Sequence, residues 1–175
     1  MLGIFTYAFL RYQLKKKLNV LVNQSKKSIK SFRSMAVIIP YDINIEEDIF
    51  ITLAKSFNIS PKSITIVVFS KKRINERKPD FGKRFYCSKN DLNFFGGFTS
   101  KMQVLFDKKF DLLINYFSEK NVLPELISVN CSTKLRLGFF EANHGINDII
   151  LQIAPGNTDL FLTESKNYLN AFLKK

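Results

Sequence analysis

Two runs of aliphatic and β-branched residues, Ala36-Val37-Ile38-Ile39 and Ile64-Thr65-Ile66-Val67-Val68-Phe69, constrain this chain most. Neither alternates with polar residues, so each suits a strand covered on both faces, as in a parallel sheet with helices above and below. Between them Ile49, Phe50, Leu53, Ala54 and Phe57 recur at helical spacing. Asn44 followed by Glu47 has the pattern of a capping box, which starts that helix. Asn58 can end it in the left-handed conformation, and Ser60-Pro61 marks the turn. The segment reads as a strand–helix–strand unit.

The pattern continues downstream. Leu112–Tyr116, Leu135–Phe139 and Ile149–Ile153 read as further strands, and a short edge strand fits near Arg84–Cys87. Helices fit Thr99–Lys109 and Val122–Ser132, the second with Pro124 in its first turn. A last helix starts at Asn157 or Thr158, with Leu160, Phe161, Tyr168, Leu169, Phe172 and Leu173 as its stripe. The loop Glu141–Asn147 is too short for a helical crossover, which suggests an antiparallel final pair. The fold class expected is α/β: a three-layer α/β/α sandwich around a mostly parallel sheet of about five strands. Crossover handedness leaves few topologies, and 2-1-3-4-5 is the order expected for the five main strands. Ahead of it, residues 2–31 read as one basic amphipathic helix with Leu2, Phe5, Phe9 and Tyr12 at helical spacing. The chain divides on this reading into a helical arm, 1–34, and one α/β domain, 35–175. With 175 residues and 46% hydrophobic composition, a core of that size can be buried.

The formal net charge is +12, and its distribution bears on partners. Residues 1–34 hold eight bases and no acid, and residues 71–84 hold seven bases against Glu76 and Asp80. The rest is nearly neutral, so the excess sits in two segments. The residues expected to bind are Lys15, Lys16 and Lys17 in the first, and Lys71, Lys72, Arg73, Arg77, Lys83 and Arg84 in the second. A nucleic acid or an acidic protein surface is the partner such clustering suits. Compositional drift competes with selection, because Lys, Asn, Ile and Phe, with their A/T-rich codons, make 72 of 175 residues. Aromatics interleave with bases in Lys83-Arg84-Phe85-Tyr86, as base-stacking surfaces require, but the patterns of known RNA-binding modules are missing.

Chemistry is less legible. In open α/β sheets ligands sit beyond the carboxyl ends of the strands, where Asp42, Ser70, Glu141 and the sole imidazole, His144, would fall. They form the alternative site, that of a small-molecule or nucleotide-binding enzyme. No residue stands out as catalytic. The first strand runs into Pro-Tyr-Asp-Ile-Asn without a glycine, so it carries no dinucleotide fingerprint or phosphate loop. No Gly-x-Ser-x-Gly elbow occurs, and no spacing of Cys, His, Asp and Glu suggests a metal. No cofactor is implied. Cys87 and Cys131 read as unpaired thiols of a reducing compartment. Met1–Leu10 is apolar, but its positive charges follow it, the reverse of a secretory signal. No apolar run is long enough to span a membrane, although residues 1–22 suit peripheral association with one.

The stretches Ser88–Gly96, Phe110–Tyr116, Ser132–Gly138 and Asn147–Ile150 resemble an uncharacterised Bacteroidetes family known only as a domain of unknown function. The resemblance covers most of residues 35–175. It implies a small cytoplasmic protein of similar length with a basic N-terminal helix, and no established activity, cofactor or catalytic residue. The function expected is therefore non-enzymatic binding of a macromolecular, polyanionic partner through segments 1–34 and 71–84.

Overall fold

The structure, a computed structural model, describes residues 4–22, 28–72, 74, 81–93 and 97–173. Six parallel strands make one sheet: β1 (Met35–Pro40), β2 (Ile64–Ser70), β3 (Lys83–Ser88), β4 (Lys109–Asn115), β5 (Ser132–Phe139) and β6 (Ile149–Leu151). Their order is β3-β2-β1-β4-β5-β6. The five main strands expected from the sequence keep the expected order, and β3 stands at the edge where a short strand was expected near Arg84–Cys87. The order reverses between β1 and β4, which creates a switch point at their carboxyl ends.

Helices cover both faces. α2 (Asp48–Ser56) and α5 (Thr158–Leu173) lie on one, where Phe50, Leu53, Phe161 and Leu169 join a core with Val37, Ile66 and Ile114. α1 (Ile4–Val22), α3 (Ser100–Phe106) and α4 (Val122–Asn130) lie on the other, where Leu10, Leu14, Met102 and Ile127 pack with Ile38, Val67 and Leu113. Alternate residues of β1 and β2 thus enter opposite cores, which is why their sequences are apolar throughout. Both cysteines are buried and unpaired. Burial pushes both thiols up, Cys131 to about 12. A disulfide reagent at about pH 8 should leave both unlabelled in the native protein and label both after denaturation, and rapid native labelling would overturn this.

Several expectations need correction. The first helix stops at Val22 among the described residues, and Ser28–Ser34 is not helical. Ile29 and Phe32 are buried on the opposite face of the sheet from α1, with Phe32 edge-on to Phe57 at 5.6 Å. One straight helix over 2–31 could not place Leu10 and Leu14 in one core and Ile29 and Phe32 in the other. α2 begins at Asp48 and has no side-chain cap, because Glu47 pairs with Arg84 instead. The final strands are parallel, Gly138 facing Ile150. A 3-10 turn, His144–Ile146, and the buried Ala142 and Ile146 pack the short connection against the α1/α4 core, so no helix is needed.

Candidate functional site

α1 sits on the sheet through Leu10 and Leu14 and places Tyr7 over the carboxyl rim. There a cavity of about 440 Å³ is lined by Tyr7, Leu10, Leu92, Val122 and Leu123, with Lys71, Lys89 and Lys120 around it. The three lysines come from three loops. Lys71 follows β2, Lys89 opens the 3-10 turn after β3, and Lys120 precedes α4. Ser88 holds the Lys89 turn in place, its backbone N–H donating to the Asp91 carboxylate at 2.8 Å. The Asn121 side chain caps α4 by accepting from the Leu123 N–H at 3.1 Å.

A smaller recess of about 160 Å³ shares Tyr7, Lys120 and Val122 with the cavity and adds Arg11, Lys15, Glu125 and Asn143. The guanidinium of Arg11 lies 5.5 Å from the centroid of the Tyr7 ring. Glu125 is buried in the first turn of α4 and accepts a hydrogen bond from the Asn143 amide at 2.8 Å. Burial pushes its carboxyl up, against the Asn143 bond and the nearby Lys120 and Arg11 charges. Behind it the Asn115 amide donates to Asn147 at 2.7 Å. Gly138 makes room for that pair, since a Cβ there would stand 2.4 Å from the Asn147 amide nitrogen. Gly138→Ala should therefore break the Asn115–Asn147 bond and lower stability by about 1–3 kcal/mol, read as a shift in the urea midpoint.

The sequence-derived basic residues divide among several places. Lys15 joins the recess, while Lys16 and Lys17 lie along an outer groove of about 590 Å³ with Phe9, Tyr12, Val20 and Val129. Lys71 joins the cavity, and Lys72 is exposed beside it, its N–H donating to the Ser70 hydroxyl at 3.0 Å. Arg73 and Arg77 lie outside the described residues. Lys83 stands at the amino end of β3, opposite Thr65, so a strand's length of roughly 17–20 Å separates it from Lys71. Arg84 faces α2 and pairs with Glu47. The two basic segments meet, among the described residues, through Lys71 and the first half of α1.

The alternative site residues also part. Asp42 lines a separate pocket of about 430 Å³ under the β1–α2 loop with Tyr41, Asn44, Glu47, Arg84 and Tyr86. Ser70 is buried beneath Lys72, and Glu141 edges a shallow recess with Phe140 and Gln152. His144 is exposed, its ring bonded to the Phe140 carbonyl and tilted against the Phe140 ring at 4.9 Å. The pocket that Asp42 lines does not include His144, whose ring nitrogen is bonded to the Phe140 carbonyl. What the rim offers instead is positive charge beside an apolar hollow.

A comparison with protein-family models matches residues 7–172 to the family of unknown function DUF6913. The chain belongs to that family. The match takes in α1 from Tyr7 onward, so the residue that supplies the cavity's aromatic wall lies within the family's matched span. No curated protein and no solved structure matches. No helix among the described residues is long and apolar enough to cross a membrane.

Proposed function

We propose that the protein binds a polyanionic macromolecule, a nucleic acid, through α1 and the carboxyl rim of the sheet. The cavity carries this reading: Lys71, Lys89 and Lys120 converge there from three loops, beside a helix that bears Arg11, Lys15, Lys16 and Lys17 and no acid. Ammonium groups fixed along a surface neutralise successive phosphates and release their counterions, which makes such binding steeply salt-dependent. Lysines act here as point charges, so the contacts read the backbone and not the base sequence. Free buried thiols suit a cytoplasmic setting, and the lysine- and asparagine-rich composition suits a Bacteroidetes source.

Anisotropy titrations of a labelled oligonucleotide over a salt series test this. The triple variant Lys71→Gln, Lys89→Gln, Lys120→Gln should weaken binding at least about tenfold and flatten the slope of log K against log salt by about two. No binding of the wild-type protein at low salt, or an unchanged slope in the variant, would refute the reading.

A second reading has one observation in its favour. Phe9, Tyr12, Val20 and Val22 are exposed on α1 next to Lys16 and Lys17, an arrangement suited to an anionic membrane surface. Co-sedimentation with vesicles containing about a third anionic lipid, lost on Tyr12→Ser and Val20→Ser substitution, would favour it.

A further inference from the structure

The geometry points to the cavity between α1 and the carboxyl rim as the seat of one unstacked nucleotide, which makes the ligand a single strand. This inference rests on the nucleic-acid reading and deepens it. Phosphate contact alone would need only the three ammonium groups. The hollow they surround is walled by Leu10, Leu92, Val122 and Leu123, together with the Tyr7 ring. A duplex presents nothing apolar at its backbone that would fill such a wall, since its bases are paired inside. A base turned out of a single strand does, with a flat π-face and phosphates on either side of its sugar. At about 440 Å³ the cavity falls in the range that accommodates small ligands.

Tyr7 supplies the platform. It is 48% exposed, so its ring is not consumed by the core, and the Arg11 guanidinium lies over it at 5.5 Å from its centroid. A guanidinium on an aromatic ring steadies it and adds a cationic surface beside the base. Lys120 lines both the cavity and the recess, so a strand leaving the cavity toward Arg11 and Lys15 stays within reach of positive charge.

The test compares a labelled single strand of roughly 12 nucleotides with the duplex of the same sequence, at one low salt concentration. The single strand should bind at least about tenfold more tightly. Tyr7→Ala should remove roughly that tenfold from the strand and leave the duplex unchanged, whereas Tyr7→Phe should behave as wild type. Because Tyr7 is half exposed, the alanine variant is expected to fold, and its circular dichroism spectrum and melting curve check that. Equal affinity for strand and duplex, or a Tyr7→Ala variant that keeps the preference, overturns the inference while leaving phosphate binding intact. Absence of binding to both forms refutes the broader reading instead. Free UMP is the remaining arm: if it binds as tightly as the oligonucleotide, a free nucleotide replaces the single strand as ligand and the inference fails.

Discussion

Tyr116→Ala is expected to lower folding stability by about 3–5 kcal/mol, while Tyr116→Phe should cost about 1 kcal/mol. The residue follows β4 and extends its ladder, the Tyr116 N–H donating to the Ile38 carbonyl at 2.9 Å. Its ring is 2% exposed and meets three others edge-on: Phe50 at 5.3 Å, Phe139 at 5.0 Å and Phe161 at 5.0 Å. Each such pair adds about 0.5–1.5 kcal/mol beyond burial. Three elements, α2, β5 and α5, converge on that ring, so its removal leaves a cavity that no single neighbour can fill. The phenol oxygen accepts from the Gly156 N–H at 3.3 Å, and this is what the phenylalanine variant loses. Urea unfolding decides it: the midpoint should fall with the slope unchanged. A loss under about 1 kcal/mol for the alanine variant would mean that the aromatic cluster repacks.

That cluster shows which parts of the fold the sequence makes legible. β1 and β2 stand out because both faces of each strand are covered, leaving continuous apolar runs. The right-handed crossover rule then orders most of the sheet. β3 is harder to see. Lys83-Arg84-Phe85 are only partly covered, since the strand lies at the edge, and the long connection before it mixes charge with glycine and proline. The parallel pairing of β6 is hidden for another reason. Its crossover packs through Ala142 and Ile146 and a 3-10 turn, and two isolated apolar residues have no periodicity to recognise.

The candidate site was half legible on the same grounds. Lys71 belongs to a dense run of bases, so counting charge along the chain finds it. Lys89 and Lys120 are single lysines in nearly neutral stretches, and only the sheet topology brings them to the same rim. Without β3 in the sheet, the turn after it cannot be assigned to the rim at all. Conversely Lys83 shares the run with Lys71 but lies at the opposite end of the sheet, because a strand parallel to β2 has to begin there. Sequence proximity overstates one contact and misses two. Tyr7 and Glu125 are absent from the sequence reading because nothing in their local context marks the packing of α1 against α4, which makes the recess.

At the amino rim the second large effect is expected from Asp111. The residue is 9% exposed, and its carboxylate accepts from the Arg33 N–H at 2.7 Å and pairs with Lys134 at 2.7 Å. It ties the segment leading into β1 to the starts of β4 and β5. Burial alone would raise its carboxyl pKa. The Lys134 hydrogen bond, the Arg33 N–H and the Lys134 charge outweigh burial and hold it below the usual carboxylate range. A depressed folded-state pKa stabilises the fold at pH values above the unfolded carboxyl range near about 3.9, and that stabilisation is lost as pH falls through the folded value. Asp111→Asn should therefore cost about 1.5–3 kcal/mol at neutral pH. The gap between variant and wild type should narrow steadily as the solution is acidified below about pH 4. Chemical denaturation at a series of pH values measures this, and oligonucleotide binding at neutral pH should be unaffected because Asp111 lies away from the carboxyl rim. A stability gap that stayed constant down to acid pH would show that the variant acts through packing and not through the carboxylate's charge.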